Sequence, residues 1–191
     1  MDNRNIAEVV KASMSSSRYK HTIGVAETAV ELAALYRADC SKAETAALLH
    51  DIAREAGDTE LLKLCRERNI EVDEIEKDTV GLLHGKVAAS IAHERFGVSD
   101  EEVLNAIRFH TTGRRYMTLL DKIIFIADMV EPGRNFPGVE ELRQLTIKDL
   151  DRAVVAGIDS TIRFVIERGL VIHPNSIEAR NTLLGYGGKT Q

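Results

Sequence analysis

His50 and Asp51 stand side by side in an apolar stretch, Ala46-Ala47-Leu48-Leu49-His50-Asp51-Ile52-Ala53. A stretch of this kind heads for the core, where two ionisable groups must be paired or coordinated to offset their desolvation. Neighbours on a helix point about 100 degrees apart, so the two can bind one metal together or reach two metals side by side. The doublet alone fits equally well a buried His–Asp hydrogen bond that only supports packing. Other residues shift that balance. His21 follows Arg18-Tyr19-Lys20, in the first turn of an expected helix. His84 lies between Gly81-Leu82-Leu83 and Gly85-Lys86, where glycines would let backbone approach a ligand. His110 ends an amphipathic segment and runs into Thr111-Thr112-Gly113-Arg114-Arg115. Asp128 is embedded in Lys122-Ile123-Ile124-Phe125-Ile126-Ala127-Asp128-Met129, where a carboxylate is hard to explain without a cation.

The elements that must position these groups read as helices throughout. Apolar residues recur at three and four: Val25, Thr28, Ala29, Leu32, Leu35; Ala43, Ala46, Ala47; Val103, Ala106, Ile107; Ile123, Ile124, Ala127. Only Pro132, Pro137 and Pro174 interrupt. Ser41 with Glu44, and Ser99 with Glu102, match the capping box at a helix start. Gly57, Gly97, Gly113 and Gly169 mark stops. Helices are expected over 5–14, 18–37, 42–56, 59–68, 86–96, 100–111, 118–130, 139–145, 150–168 and 176–184. Residues 169–173 are the one short stretch that could be extended. No repeat or linker divides the chain. The expectation is one all-α domain over 1–191, a helical bundle with a core of about 18–130, a C-terminal helical segment of about 138–184 and a loose tail at 185–191.

The bulk composition excludes several classes. With 44% hydrophobic and 29% charged residues among 191, the chain can build a sizeable core and is not disordered. A formal net charge of -5 disfavours a nucleic-acid polymer as partner, although a few local cations suffice for one polyphosphate. Cys40 and Cys65 read as two buried or half-buried thiols in a reducing compartment. The opening Met-Asp-Asn-Arg-Asn-Ile lacks the build of a signal peptide, and no apolar run approaches a membrane span. The expected location is the cytoplasm, with no membrane partner.

The order His…His-Asp…His…His…Asp on successive helices resembles the HD-domain phosphohydrolase superfamily. Local segments are similar to its YqeK family, the symmetrical bis(5′-nucleosyl)-tetraphosphatases. They are Arg18-Tyr19-Lys20-His21, Ala47-Leu48-Leu49-His50-Asp51-Ile52-Ala53, Leu83-His84-Gly85, His110-Thr111-Thr112-Gly113-Arg114, Leu120-Asp121-Lys122-Ile123-Ile124 with Ala127-Asp128, Glu131-Pro132-Gly133-Arg134, and Ile172-His173-Pro174-Asn175. The resemblance covers most of 18–180 and implies an HD-domain helical bundle. It implies iron held by His21, His50, Asp51 and Asp128, with His84 and His110 either facing phosphates or holding a second metal. Mixed imidazole and carboxylate ligation suits iron, manganese, cobalt or zinc alike. Asp51, His84 and His110 are the expected catalytic groups. The pattern also puts His173, Pro174 and Asn175 near the nucleotide. One departure is visible: Arg54 stands where many relatives carry Lys, a planar fork in place of a point donor.

Such a site fits phosphoanhydride hydrolysis. The substrate's negative charge repels a nucleophile, and a bound metal both neutralises it and lowers the pKa of water from about 15.7 toward roughly 7. Lys86, Arg114, Arg134 and Arg54 are candidate phosphate partners, and Thr111 and Thr112 offer hydroxyl or backbone donors. The expected reaction splits diadenosine tetraphosphate into two ADP. The ligand is then a dinucleoside polyphosphate or a nucleoside diphosphate, and a homodimer stays open. A general HD nucleotidase or nucleoside triphosphate phosphohydrolase would use the same metal site, and a non-catalytic nucleotide sensor would keep only the fold. His93, among charged neighbours, reads as surface. Tyr186, in Gly185-Tyr186-Gly187, lacks the proline of a Gly-Tyr-Pro signature.

Overall fold

Helix α8 (Leu119–Val130) is the hub of the fold. In the computed structural model, which describes residues 3–186, the chain runs α1 (Asn3–Ser13), α2 (Ser16–Tyr36), α3 (Cys40–Leu49), α4 (Asp58–Glu67), α5 (Glu74–Asp78), a 3-10 turn (Val80–Leu82), α6 (Leu83–Phe96), α7 (Glu101–Phe109), α8, α9 (Val139–Lys148), α10 (Leu150–Glu167) and α11 (Pro174–Leu183). Helices α2, α3, α7, α9 and α10 all pack on α8, while α2 lies along α3 and α6 along α7. Helix α8 is apolar nearly all round, so it can be covered on every side. Ile123, Ile124, Ile126 and Ala127 are fully buried in it. Burying one such side chain is worth about 1.5–3 kcal/mol. The all-α expectation holds: among the described residues there is no strand, and 169–173 forms none.

Several boundaries differ from the sequence expectation, each for a local reason. Helix α3 is capped by Asp39, whose carboxylate accepts from Ser41 and Lys42 N–H, and α7 by Asp100, which accepts from Glu102 and Val103. A carboxylate satisfies two free donors and complements the positive helix end, so it displaces the neighbouring serine hydroxyl. The capping boxes that form are Asp73 with Glu76 at α5, and Thr118 with Asp121 at α8. Gly97, Gly113 and Gly169 do adopt left-handed φ beyond helix ends. Gly57 instead precedes α4 in an extended conformation. Helix α2 begins at Ser16, which moves His21 from the first turn to the second. Helix α6 begins at Leu83 rather than 86, after two short pieces with too few residues to show a period.

Apolar periodicity locates the core well. Val25, Ala29, Ala43, Ala46, Ala47, Val103, Ala106 and Ile107 are all buried. Leu35, one residue before the end of α2, is half exposed. Cys65 is buried and Cys40 partly buried, both as free thiols. Among the described residues no helix is long and apolar enough to cross a membrane. Of the tail expected to be loose, 187–191 lies outside the described residues.

Candidate active site

The expected continuous helix 42–56 stops at Leu49, so His50 and Asp51 are not in mid-helix. They occupy a tightened turn in which Ile52 N–H donates to Leu49 O and Arg54 N–H to Asp51 O. Leaving the helix there frees the carbonyl of Ala47, and His50 Nδ1 meets it at 2.6 Å. His84 Nδ1 meets Gly81 O at 2.5 Å, and His110 Nδ1 meets Ile107 O at 2.8 Å. A carbonyl only accepts, so in each ring Nδ1 carries the hydrogen and Nε2 is left as a bare lone pair in the neutral form. His21 Nδ1 lies 3.1 Å from Glu131 Oε1, which assigns it the same tautomer. Four imidazole Nε2 atoms are thereby turned toward one space.

Two carboxylates close that space. Asp51 Oδ2 faces Arg18 Nη1 at 2.8 Å, His50 Nε2 at 3.4 Å and His21 Nε2 at 3.7 Å. Its other oxygen faces His84 Nε2 at 3.3 Å and His110 Nε2 at 3.7 Å. Asp128 Oδ1 lies 3.0 Å from His21 Nε2 and 4.0 Å from His50 Nε2, and pairs with Arg134 Nη2. Ligand-type atoms of His21, His50 and Asp51 all fall within 4.8 Å of one another, as do those of His50, His110 and Asp128, and of Asp51, His84 and His110. His84 Nε2 and His110 Nε2 approach to 3.1 Å. Gly85 allows this, because a Cβ there would stand 2.7 Å from Arg108 O. The close backbone approach that glycine was expected to give a ligand is thus made to α7 instead.

The donor set fits a divalent cation. His21 Nε2 and His50 Nε2 are buried without a hydrogen-bond partner, a costly state unless something electron-poor sits between them and the carboxylates. Burial opposes ionisation of Asp51, yet the surrounding histidines, His50 foremost, hold its carboxyl far below the usual range. Burial likewise works against Asp128, and His21, His50 and Arg134 outweigh it. Burial pushes His84 the other way, toward the neutral ring. Two anions and imidazole lone pairs are the ligation that iron, manganese, cobalt or zinc takes.

Around this cluster the expected substrate contacts divide. Arg134 touches it directly through Asp128. Thr111 Oγ1 lies 3.2 Å from His110 Nε2, and Thr112 O accepts from Ser176 Oγ, which brings the first turn of α11 beside the end of α7. His173 caps α11, accepting from Asn175 N–H, with Pro174 as the first helical residue, and its Nε2 meets Asp73 at 3.1 Å. Lys86 Nζ contacts Glu76 at 2.6 Å and Glu71 O at 3.0 Å. Arg114 is committed to Asp121, a buried acid that also caps α8. Arg54 is exposed. His93 is exposed as expected, its Nδ1 on Val98 O. Two residues at the cluster carried no assigned role in the sequence reading: Arg18, on Asp51, and Glu131, on His21. Their spacing, three before His21 and three after Asp128, was the available signal.

The chain belongs to the HD-domain family, whose model matches residues 18–133. Within that superfamily it is a member of the YqeK family, the symmetrical bis(5′-nucleosyl)-tetraphosphatases. The protein of that name from Halalkalibacterium halodurans is 44% identical over 96% of this chain and 98% of its own length. The one from Bacillus subtilis is 37% identical over the same shares. A crystal structure from Clostridium acetobutylicum, described as a predicted HD superfamily hydrolase involved in NAD metabolism, superposes with a TM-score of 0.91 at 44% identity, covering 95% of this chain and 96% of that one.

Proposed function

We propose that the protein hydrolyses diadenosine tetraphosphate and related dinucleoside polyphosphates at the centre of the phosphate chain, giving two nucleoside diphosphates. One observation carries the reading: imidazoles from α2, α6 and the ends of α3 and α7 meet Asp51 and Asp128 in one buried cluster, with arginines at its edge. His21, His50, Asp51 and Asp128 would hold the cation, which we take to be iron. When bound, it supplies Lewis acidity, neutralising phosphoryl charge and lowering the pKa of water. Asp51 Oδ1, His84 and His110 offer a second cation position or, without one, groups for the substrate.

The chain's own residues supply the rest. Water attacks the second phosphorus from one nucleoside, the bond to the central bridging oxygen breaks, and that oxygen leaves with the other nucleoside diphosphate. His84 and His110 present bare Nε2 atoms that can take the proton from water. Arg134, half exposed at the rim, hands its fork from Asp128 to phosphate oxygens, and Thr111 and Thr112 donate beside His110. His173, Pro174 and Asn175, carried to that edge by the contact of Ser176 with Thr112, border the nucleotide. Two free thiols suit an enzyme working in the cytoplasm. The test is product analysis on diadenosine tetraphosphate with the purified, metal-loaded chain. ADP alone is the expected product. ATP plus AMP, or free phosphate, would refute symmetrical cleavage.

A further inference from the structure

We propose that Glu131 is a positioning residue for the metal site, fixing the ring and tautomer of His21 from behind; this rests on His21 being a ligand. Three of the four imidazoles sit at helix ends and anchor Nδ1 on a carbonyl three residues back, at Ala47, Gly81 and Ile107. His21 lies inside α2, where carbonyls are already engaged in the helix. Its ring therefore needs an acceptor from elsewhere. Glu131, 110 positions away and 4% exposed, is that acceptor.

The surroundings of this carboxylate are built for it. Its Oε2 accepts from Gly133 N–H at 2.5 Å while Oε1 faces His21. A Cβ on Gly24 would stand 2.6 Å from Oε2, and one on Gly133 would stand 3.0 Å from both oxygens. Glycine inside a helix is destabilising relative to alanine, so Gly24, three residues after His21 on the same helix, has a packing reason to be there. The backbone of Glu131 is held as well: its N–H donates to Ala127 O, and its carbonyl accepts from Arg134 N–H and Arg143 Nη2. The same turn sends Arg134 to Asp128, so one short segment orients site residues on both α2 and α8. A carboxylate opposite Nδ1–H keeps Nε2 free as a lone pair and strengthens its donation to a cation.

The test titrates Co(II) into the metal-free full-length protein, read by optical absorption, alongside thermal melting of the metal-free state. Wild type is compared with Glu131→Gln, Gly24→Ala and His21→Ala. Glutamine keeps one oxygen for Gly133 N–H and turns its own N–H to His21, whose neutral ring answers with the other tautomer, Nδ1 bare and Nε2 protonated. Glu131→Gln should bind Co(II) roughly tenfold to a hundredfold more weakly, with an altered absorption spectrum and an unchanged metal-free melting temperature. Gly24→Ala keeps the carboxylate but displaces it, and should weaken Co(II) binding too. If His21→Ala weakens binding while Glu131→Gln and Gly24→Ala do not, the positioning role is wrong and the ligand assignment stands. If His21→Ala also binds as wild type does, the ligand assignment itself falls. Loss of affinity that only accompanies a lowered metal-free melting temperature marks a structural role and overturns the proposal.

Discussion

Removing Arg134 separates a dinucleotide hydrolase from a generic phosphohydrolase. Its Nε donates to Asp128 O at 2.7 Å, its Nη2 pairs with Asp128 Oδ1, and 38% of its side chain remains exposed. The group is therefore tethered at the site yet free to turn toward solvent. A hydrogen bond from a charged donor to a phosphate is worth about 1.5–3 kcal/mol. At about 1.4 kcal/mol per decade, Arg134→Ala should lower kcat/KM on diadenosine tetraphosphate roughly ten- to a hundredfold. A simple aryl phosphate has no distal half for the arginine to hold, so its loss should be smaller. The mutation also removes a cation from Asp128, which is why metal content has to be equalised before rates are compared. Arg134→Lys, which keeps the charge and loses the fork, should fall between wild type and alanine. The assay is kcat/KM for both substrates across the three proteins. Equal losses on the two substrates would mean that Arg134 does not hold the distal half of the dinucleotide.

Asp51→Ala should abolish turnover and leave helical circular dichroism intact, since it removes an acidic group at the cluster and little apolar volume; near-normal metal content and hydrolysis would overturn its role. Leu48→Ala and Ile124→Ala should do the reverse, costing about 2–5 kcal/mol in denaturant unfolding while kcat stays near wild type, because both side chains are almost fully buried. For acid stability, burial opposes ionisation of Asp73, and Glu76 N–H together with His173 outweighs it, so the folded carboxyl titrates below its usual value. A depressed acid contributes stability above its unfolded pKa of about 3.9, and that stability is lost as pH falls through the folded value. Asp73→Asn should therefore flatten the fall in urea midpoint below about pH 4; an unchanged slope would remove Asp73 from the account.

How much of this was legible in the chain depends on the distance over which each feature is decided. Helix faces are decided within one or two turns, and the recurrence of Ile123, Ile124 and Ala127 located α8 and its buried face directly. The end of α3 is decided by tertiary packing. The seven residues after Leu49 include no glycine or proline, yet the chain leaves the helix there and gains a free Ala47 carbonyl for His50. That departure lets the apolar Ala46–Leu49 run stay in the core while Asp51 presents one oxygen to His21 and His50 and the other to His84 and His110. A continuous helix would have given the same residue types without that division. The types and order of the cluster were therefore readable, and its wiring was not. Arg18 reaches Asp51 across 33 positions and Glu131 reaches His21 across 110, so each looked like an ordinary charged residue within its own segment. What marks them is that a buried carboxylate or imidazole needs a partner of the right kind on its far side, and only the fold says which chain segment stands there.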